Sequence, residues 1–66
     1  MPVIHRNDIH IGQEVDIILK KDQKTGALTR GHVARILTHS LTHTRGIKVQ
    51  LVEYGMVGRV HAIVGQ

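Results

Sequence analysis

Two stretches, Gly31-His32-Val33-Ala34-Arg35-Ile36-Leu37 and Gly58-Arg59-Val60-His61-Ala62-Ile63-Val64, share the pattern Gly-x-Val-x-x-Ile-[Leu/Val]. Before each lies a run in which apolar residues recur at every second position: Val15, Ile17 and Leu19 ahead of the first, Ile47, Val49 and Leu51 ahead of the second. That period belongs to a strand with one buried face. The chain thus reads as two hairpins of similar design, and hairpins that are marginal alone become stable when they share an inner face. A chance match in a chain rich in Val, Ile and Gly is the competing explanation.

Working outward, strands are expected over 14–20, 28–37, 46–51 and 56–64, with Ile47, Val49 and Leu51 inward and Lys48 and Gln50 outward. Strict alternation puts Arg35 on the face of Val33, and Arg59 on the face of Ile63, so bulges are expected near Gly31 and Gly58. Lys21 to Gly26 is polar and ends in Gly, as a long hairpin loop would. Thr38 to Arg45 reads as a loop anchored by Leu41, and Glu53-Tyr54-Gly55 as a turn. Residues 1–10 read as an irregular N-terminal arm, with Asp8 capping one helical turn that ends at Gly12 and Ile9 and Ile11 on the core. The expected fold is all-β: a small SH3-like partial barrel of four to five antiparallel strands in one domain spanning 1–66.

Composition supports this and narrows the function. The chain has 66 residues, with eight Val, eight Ile and five Leu against one Tyr and no Phe or Trp, a β-branched aliphatic core. There is no cysteine, hence neither a disulfide nor a thiolate metal knuckle, and packing alone must hold the fold. The longest apolar runs, such as Ile17-Ile18-Leu19, are far shorter than the about 20 residues that cross a bilayer. A soluble cytoplasmic monomer is expected. Nine Lys and Arg against five Asp and Glu give +4 and suit a polyanionic partner.

Catalytic and metal chemistry lack their residues. His39 and His43 have the i, i+4 spacing of a helical metal pair, but the segment between them is a Thr-rich loop and offers no acidic third ligand. Ser40 is the sole serine, and Glu14 and Asp16, side by side on one strand face, read as solvated surface rather than an acid/base pair. Lys24-Thr25-Gly26 carries one Gly and no following helix, so it is no phosphate-cradling loop. No enzyme activity, metal or cofactor is expected.

The cations remain. Lys20, Lys21, Lys24 and Arg30 flank or occupy the first hairpin loop, and Arg45, Lys48 and Arg59 lie on the second hairpin, so packing the two would gather them on one rim. Base-stacking surfaces use aromatic residues, and Tyr54 stands alone, so nucleic-acid contact should be to the backbone, weakly selective and salt-sensitive.

The stretch from Val15 to Ile63 resembles the YwbE family, small uncharacterised prokaryotic proteins, through Asp22-Gln23-Lys24-Thr25-Gly26-Ala27-Leu28-Thr29-Arg30-Gly31, then Ile36-Leu37-Thr38, His43, Gly46-Ile47-Lys48-Val49 and Val57-Gly58-Arg59-Val60. Thr44 departs from the Pro expected after His43. The resemblance implies a fold and structural roles for Asp22, Gln23, Thr25, Gly26, Thr29, Gly31, Gly46 and Gly58, but no catalytic residues. In the first loop, Asp22 would accept backbone N–H groups while Gly26 takes a positive φ. A weaker likeness, through Gly12-x-x-Val15-x-Ile17 and Gly31-x-Val33-x-x-Ile36, is to KOW-type modules, SH3-like barrels that touch RNA or protein. The chain is therefore expected to be a non-enzymatic module contacting RNA or a ribonucleoprotein through its basic rim; the alternative is an assembly module that pairs an exposed sheet edge with another protein.

Overall fold

A computed structural model describes residues 2–65, and Met1 and Gln66 lie outside the described residues. Four strands form where alternation predicts them: β1 (Glu14–Leu19), β2 (Thr29–Ile36), β3 (Lys48–Leu51) and β4 (Val57–Gly65). Each is antiparallel to its neighbours in the order β1-β2-β3-β4, and β4 returns to pair with β1. The expected partial barrel is thus a closed one. The rest of the regular structure consists of 3-10 turns at Arg6–Asp8, Lys20–Asp22 and Glu53–Gly55.

The core is wholly aliphatic. Val15, Ile17, Val33, Ile47, Val49, Leu51 and Val60 are sealed from solvent, with Ile9 beside them and Val3, Leu19, Ile36 and Met56 packed around the rim. Ile47, Val49 and Leu51 point inward and Lys48 outward, as their alternation requires.

Closure depends on two glycines. A Cβ on Gly58 would lie 2.5 Å from the Ile18 carbonyl oxygen and 3.0 Å from Ile17 Cδ1, and one on Gly31 would lie 2.7 Å from both Leu51 Cδ1 and Glu53 Oε1. The repeated Gly is therefore the point where a neighbouring strand or turn presses closest, not the site of a bulge. The bulges fall elsewhere. Between β2 and β3 the extra residue is Ala34, because Val33 pairs with Leu51 and Arg35 with Gln50. Between β4 and β1 the extra residues are His61 and Val64. The Ala34 bulge turns Arg35 outward while Val33 stays in, which resolves the parity conflict three residues beyond Gly31.

Several local expectations are corrected. The N-terminal arm is irregular, as expected, but it is bonded to the barrel: Val3 N–H donates to Val60 O at 3.0 Å, Ile47 N–H donates to Val3 O at 2.9 Å, and His5 bridges to Thr42. The arm thus occupies the barrel end beside Gly46 and Ile47, which is why the third strand begins at Lys48 rather than at 46. Asp8 closes the first 3-10 turn instead of capping it, and Ile11 is 64% exposed, whereas Ile9 is buried. Leu41 is 70% exposed, so its side chain anchors nothing, although its carbonyl accepts Arg6 N–H at 2.8 Å, while Leu28 sits half-exposed outside β2. Residues 37–47 form no helix, so His39 and His43 do not share a helical face; His43 Nδ1 accepts the Arg45 N–H instead.

The first loop is a helical turn more than an open hairpin. Gly26 takes φ +75°, as expected, but Asp22 contributes its carbonyl rather than its carboxylate, accepting from Gly26 N–H at 2.8 Å and from the Thr25 hydroxyl. Thr25 Oγ1 also accepts from Ala27 N–H, which accounts for Thr at this position. Thr29 opens β2 opposite Ile17.

Candidate nucleic-acid interface

The outer face of the barrel divides by charge. On β1 and β2 the cation Arg30 is neutralised by a carboxylate, Asp16. Arg30 Nε and Nη2 donate to the two Asp16 oxygens at 2.9 and 3.2 Å, a fork-to-fork bridge between residues directly opposite in the ladder. Asp16 is therefore largely covered rather than solvated, and the Arg30 hydrogen bonds hold its carboxyl below the usual carboxylate range. Glu53, in the 3-10 turn after β3, grips β2 twice: Oε1 accepts the His32 backbone N–H at 2.8 Å and Oε2 meets His32 Nδ1 at 2.6 Å. These bonds lower the Glu53 carboxyl to about 2 and raise the His32 imidazole.

On β3, β4 and the end of β1 the pattern reverses. Lys48 stands directly opposite Arg59, and Arg59 is in turn opposite Ile18 of β1. Like charges at directly opposed positions repel. Here no carboxylate lies between them. Two adjoining depressions open over this spot, both lined by Ile18, Gln23, Arg45 and Arg59; Lys20, Lys48 and Val57 extend one and His61 borders the other, and no Asp or Glu lines either. Arg59 is fixed in place by its Nη1 donating to Gly46 O at 3.0 Å, a contact made possible by Gly46 at φ +102°. Ile18 and Val57 give the cations an apolar floor.

Of the seven cations named from the sequence, Lys20, Arg45, Lys48 and Arg59 thus converge on one concave surface. Lys21 and Lys24 are exposed on the neighbouring loop but do not line it. Arg30 is drawn away to β1 and β2 by Asp16. Three residues not assigned to the surface from sequence belong near it. Gln23 lines both depressions and His61 borders one, while Arg35 stands exposed opposite Gln50, whose other neighbour is Val57. Arg35 was concealed by its parity, since only a bulge at Ala34 turns it outward. Among the described residues no three His, Asp or Glu side chains converge as metal ligands.

Comparison with known proteins places the chain. The family model described as "Uncharacterized conserved protein (DUF2196)" matches residues 3–63, a span that takes in the N-terminal arm together with the barrel it bonds to. The curated "Uncharacterized protein YwbE" of Bacillus subtilis (strain 168) is 59% identical over 59 residues, which are 89% of each chain. No solved structure matches this chain. With the family model spanning nearly the whole chain, and this identity in a relative of equal extent, the chain belongs to the YwbE (DUF2196) family.

Proposed function

We propose that this protein is a non-enzymatic binding module that holds RNA, free or in a ribonucleoprotein, by its phosphates across the outer face of β3 and β4. The observation that carries the proposal is Lys48 directly opposite Arg59, with Lys20 and Arg45 in the same concavity and no carboxylate among them. An arrangement that repels itself in the empty protein is relieved by a polyanion. The partly apolar floor of Ile18 and Val57 suits sugar edges, and the absence of a layer of aromatic residues limits base reading. We place the barrel among SH3-like, KOW-type modules on the likeness of Gly12-x-x-Val15-x-Ile17 and Gly31-x-Val33-x-x-Ile36, and the protein in the cytoplasm as a monomer, where its RNA would be met. The assembly alternative rests on a free sheet edge; in the closed order each of the four strands has two neighbours.

Salt tests the proposal. If four cations neutralise four phosphates of a single strand, the slope of log affinity on log salt is about −2.8, so raising salt fourfold weakens binding about 50-fold. Titrating isotopically labelled protein with single-stranded RNA, structured RNA and duplex DNA at low and moderate salt should shift the amides of Ile18 to Lys20, Arg45 to Lys48 and Val57 to His61. Unmoved amides there at low salt defeat the proposal. A salt-insensitive complex at high protein concentration in sedimentation would favour assembly instead.

A further inference from the structure

The hairpin that carries Lys48 and Arg59 ends in a turn built in an unusual way. Tyr54, the only aromatic residue of the chain, sits at its tip with 96% of its surface exposed. Its backbone is left-handed, φ 57° and ψ 12°, a conformation that a residue with a bulky side chain adopts only when its surroundings impose it. They do so from both sides. Before Tyr54, Glu53 is held to β2 through the His32 N–H and ring; after it, Gly55 O accepts from Gln50 Nε2, Met56 N–H donates to Glu53 O, and Leu51 N–H donates to Met56 O. Nothing about packing calls for tyrosine there, because almost none of the ring is covered. A Gly or Asn would sit in the same turn without strain.

We infer that Tyr54 is a stacking platform for one unpaired base of a single-stranded RNA whose phosphates lie along the cation face. The inference rests on the RNA reading proposed above and adds a ligand class to it. Along the hairpin, Lys48 and Arg59 are followed on the same face by Gln50 and Val57, about 7 Å on, and then by the turn, which sets Tyr54 roughly 10–15 Å from the cation pair. That is within reach of a short run of nucleotides. A ring carried on an exposed tip can stack only on a base that is not already stacked, so the platform selects single strands over duplex. One aromatic face gives little base preference, since every base has a π-face.

The chain reports on this directly: with one Tyr and no Trp, its intrinsic emission is that of Tyr54. Titration of the full chain at low salt with a ten-residue oligouridylate, and with an abasic oligomer of the same length, separates base from backbone, free tyrosine serving as the optical control. The uridylate should quench Tyr54 emission at least about twofold and the abasic oligomer should not, although both bind by anisotropy. Tyr54→Leu should weaken the uridylate complex by about 5- to 150-fold and leave the abasic complex and the salt slope unchanged. Tyr54→Phe should keep binding within about twofold, which separates loss of stacking from a damaged turn. Binding of uridylate without quenching, at equal affinity for Tyr54→Leu, overturns the platform while leaving the cation face standing. Failure of both oligomers to bind removes the RNA reading and the platform with it.

Discussion

Gly58→Ala should unfold this barrel more than its size suggests. The new Cβ would lie 2.5 Å from Ile18 O, a backbone atom that cannot rotate away, and 3.0 Å from Ile17 Cδ1 in the core. Ordinary contact requires β1 and β4 to separate by roughly 1 Å along a ladder where Leu19 faces Gly58 and Ile18 faces Arg59. A shift of that size stretches N–H···O bonds of about 2.9 Å beyond bonding range, at about 0.5–1.5 kcal/mol for each. Overpacking against Ile17 adds about 1–3 kcal/mol, and the entropic gain of replacing Gly recovers only about 0.5–1 kcal/mol. The net loss is about 2–3 kcal/mol, a large part of the roughly 3–5 kcal/mol that a core this small supplies. At about 4–8 °C per kcal/mol, Tm should fall by about 10–20 °C in thermal unfolding followed by circular dichroism. Gly65→Ala is the control: its Cβ would meet Glu14 Oε1 at a comfortable 3.6 Å, and Tm should hold or rise slightly. If Gly58→Ala matched the control, the close approach of β1 and β4 would not be what closes the barrel.

The electrostatic division makes three further predictions. Lys48→Glu places a carboxylate opposite Arg59; Tm should rise by about 1–5 °C while affinity for single-stranded RNA collapses at low salt, and a parallel gain in both would contradict the proposed role of the cation pair. Arg30→Gln should leave RNA affinity within about twofold of the parent, because Asp16 already occupies that guanidinium, whereas Arg59→Gln should reduce the salt slope by about 0.7; filter binding across a salt series reads both. The Glu53–His32 contact stabilises the fold only within a pH window. The carboxylate's share is full above its ordinary 4.5 and lost as pH falls toward about 2, and the imidazole's share is full below its ordinary 6.5 and lost as pH rises through its raised value. The Tm difference between the parent and Glu53→Gln should therefore be widest between about pH 4.5 and 6.5, and a difference that does not change with pH would refute the pairing.

Most of the barrel could be read from the chain because β1 and β3 each carry a two-residue period and β2 and β4 repeat one motif after them. Val15, Ile17, Val49 and Leu51 needed no tertiary information to be set on the inner face. What could not be read is what depends on contact between strands. The repeated Gly-x-Val motif pointed to Gly31 and Gly58 as special, but a bulge and a close approach leave the same mark in a sequence; only the positions of Ile18 O and Leu51 Cδ1 tell them apart. The same uncertainty hid Arg35. The rim of cations was legible as a list and not as a surface, since choosing among seven charges requires knowing which have an acid opposite them. Asp16 lies across from Arg30 by register alone, fourteen residues away, and that pairing removes Arg30 from the site. Ile11 and Leu41 show the converse error: apolar residues in short polar segments are as readily left outside as drawn in.

The placement of the carboxylates carries the functional argument one step further. Of the five acidic residues, Asp16 and Glu53 are committed to Arg30 and His32, and no acid faces the depressions over β3 and β4. Folding therefore brings Lys48 against Arg59 with nothing to offset them, in a domain with little stability to spare. A chain selected for stability alone would relieve this with one Glu at position 48, a substitution that strand geometry accepts without change. On the proposed reading the repulsion serves an extended anion, because a single small ion could not lie against both the cross-strand pair and Arg45 and Lys20 at the margins of the same concavity. A phosphate backbone would meet that requirement, and in the proposed complex the turn at Tyr54 would lie at one end of its path.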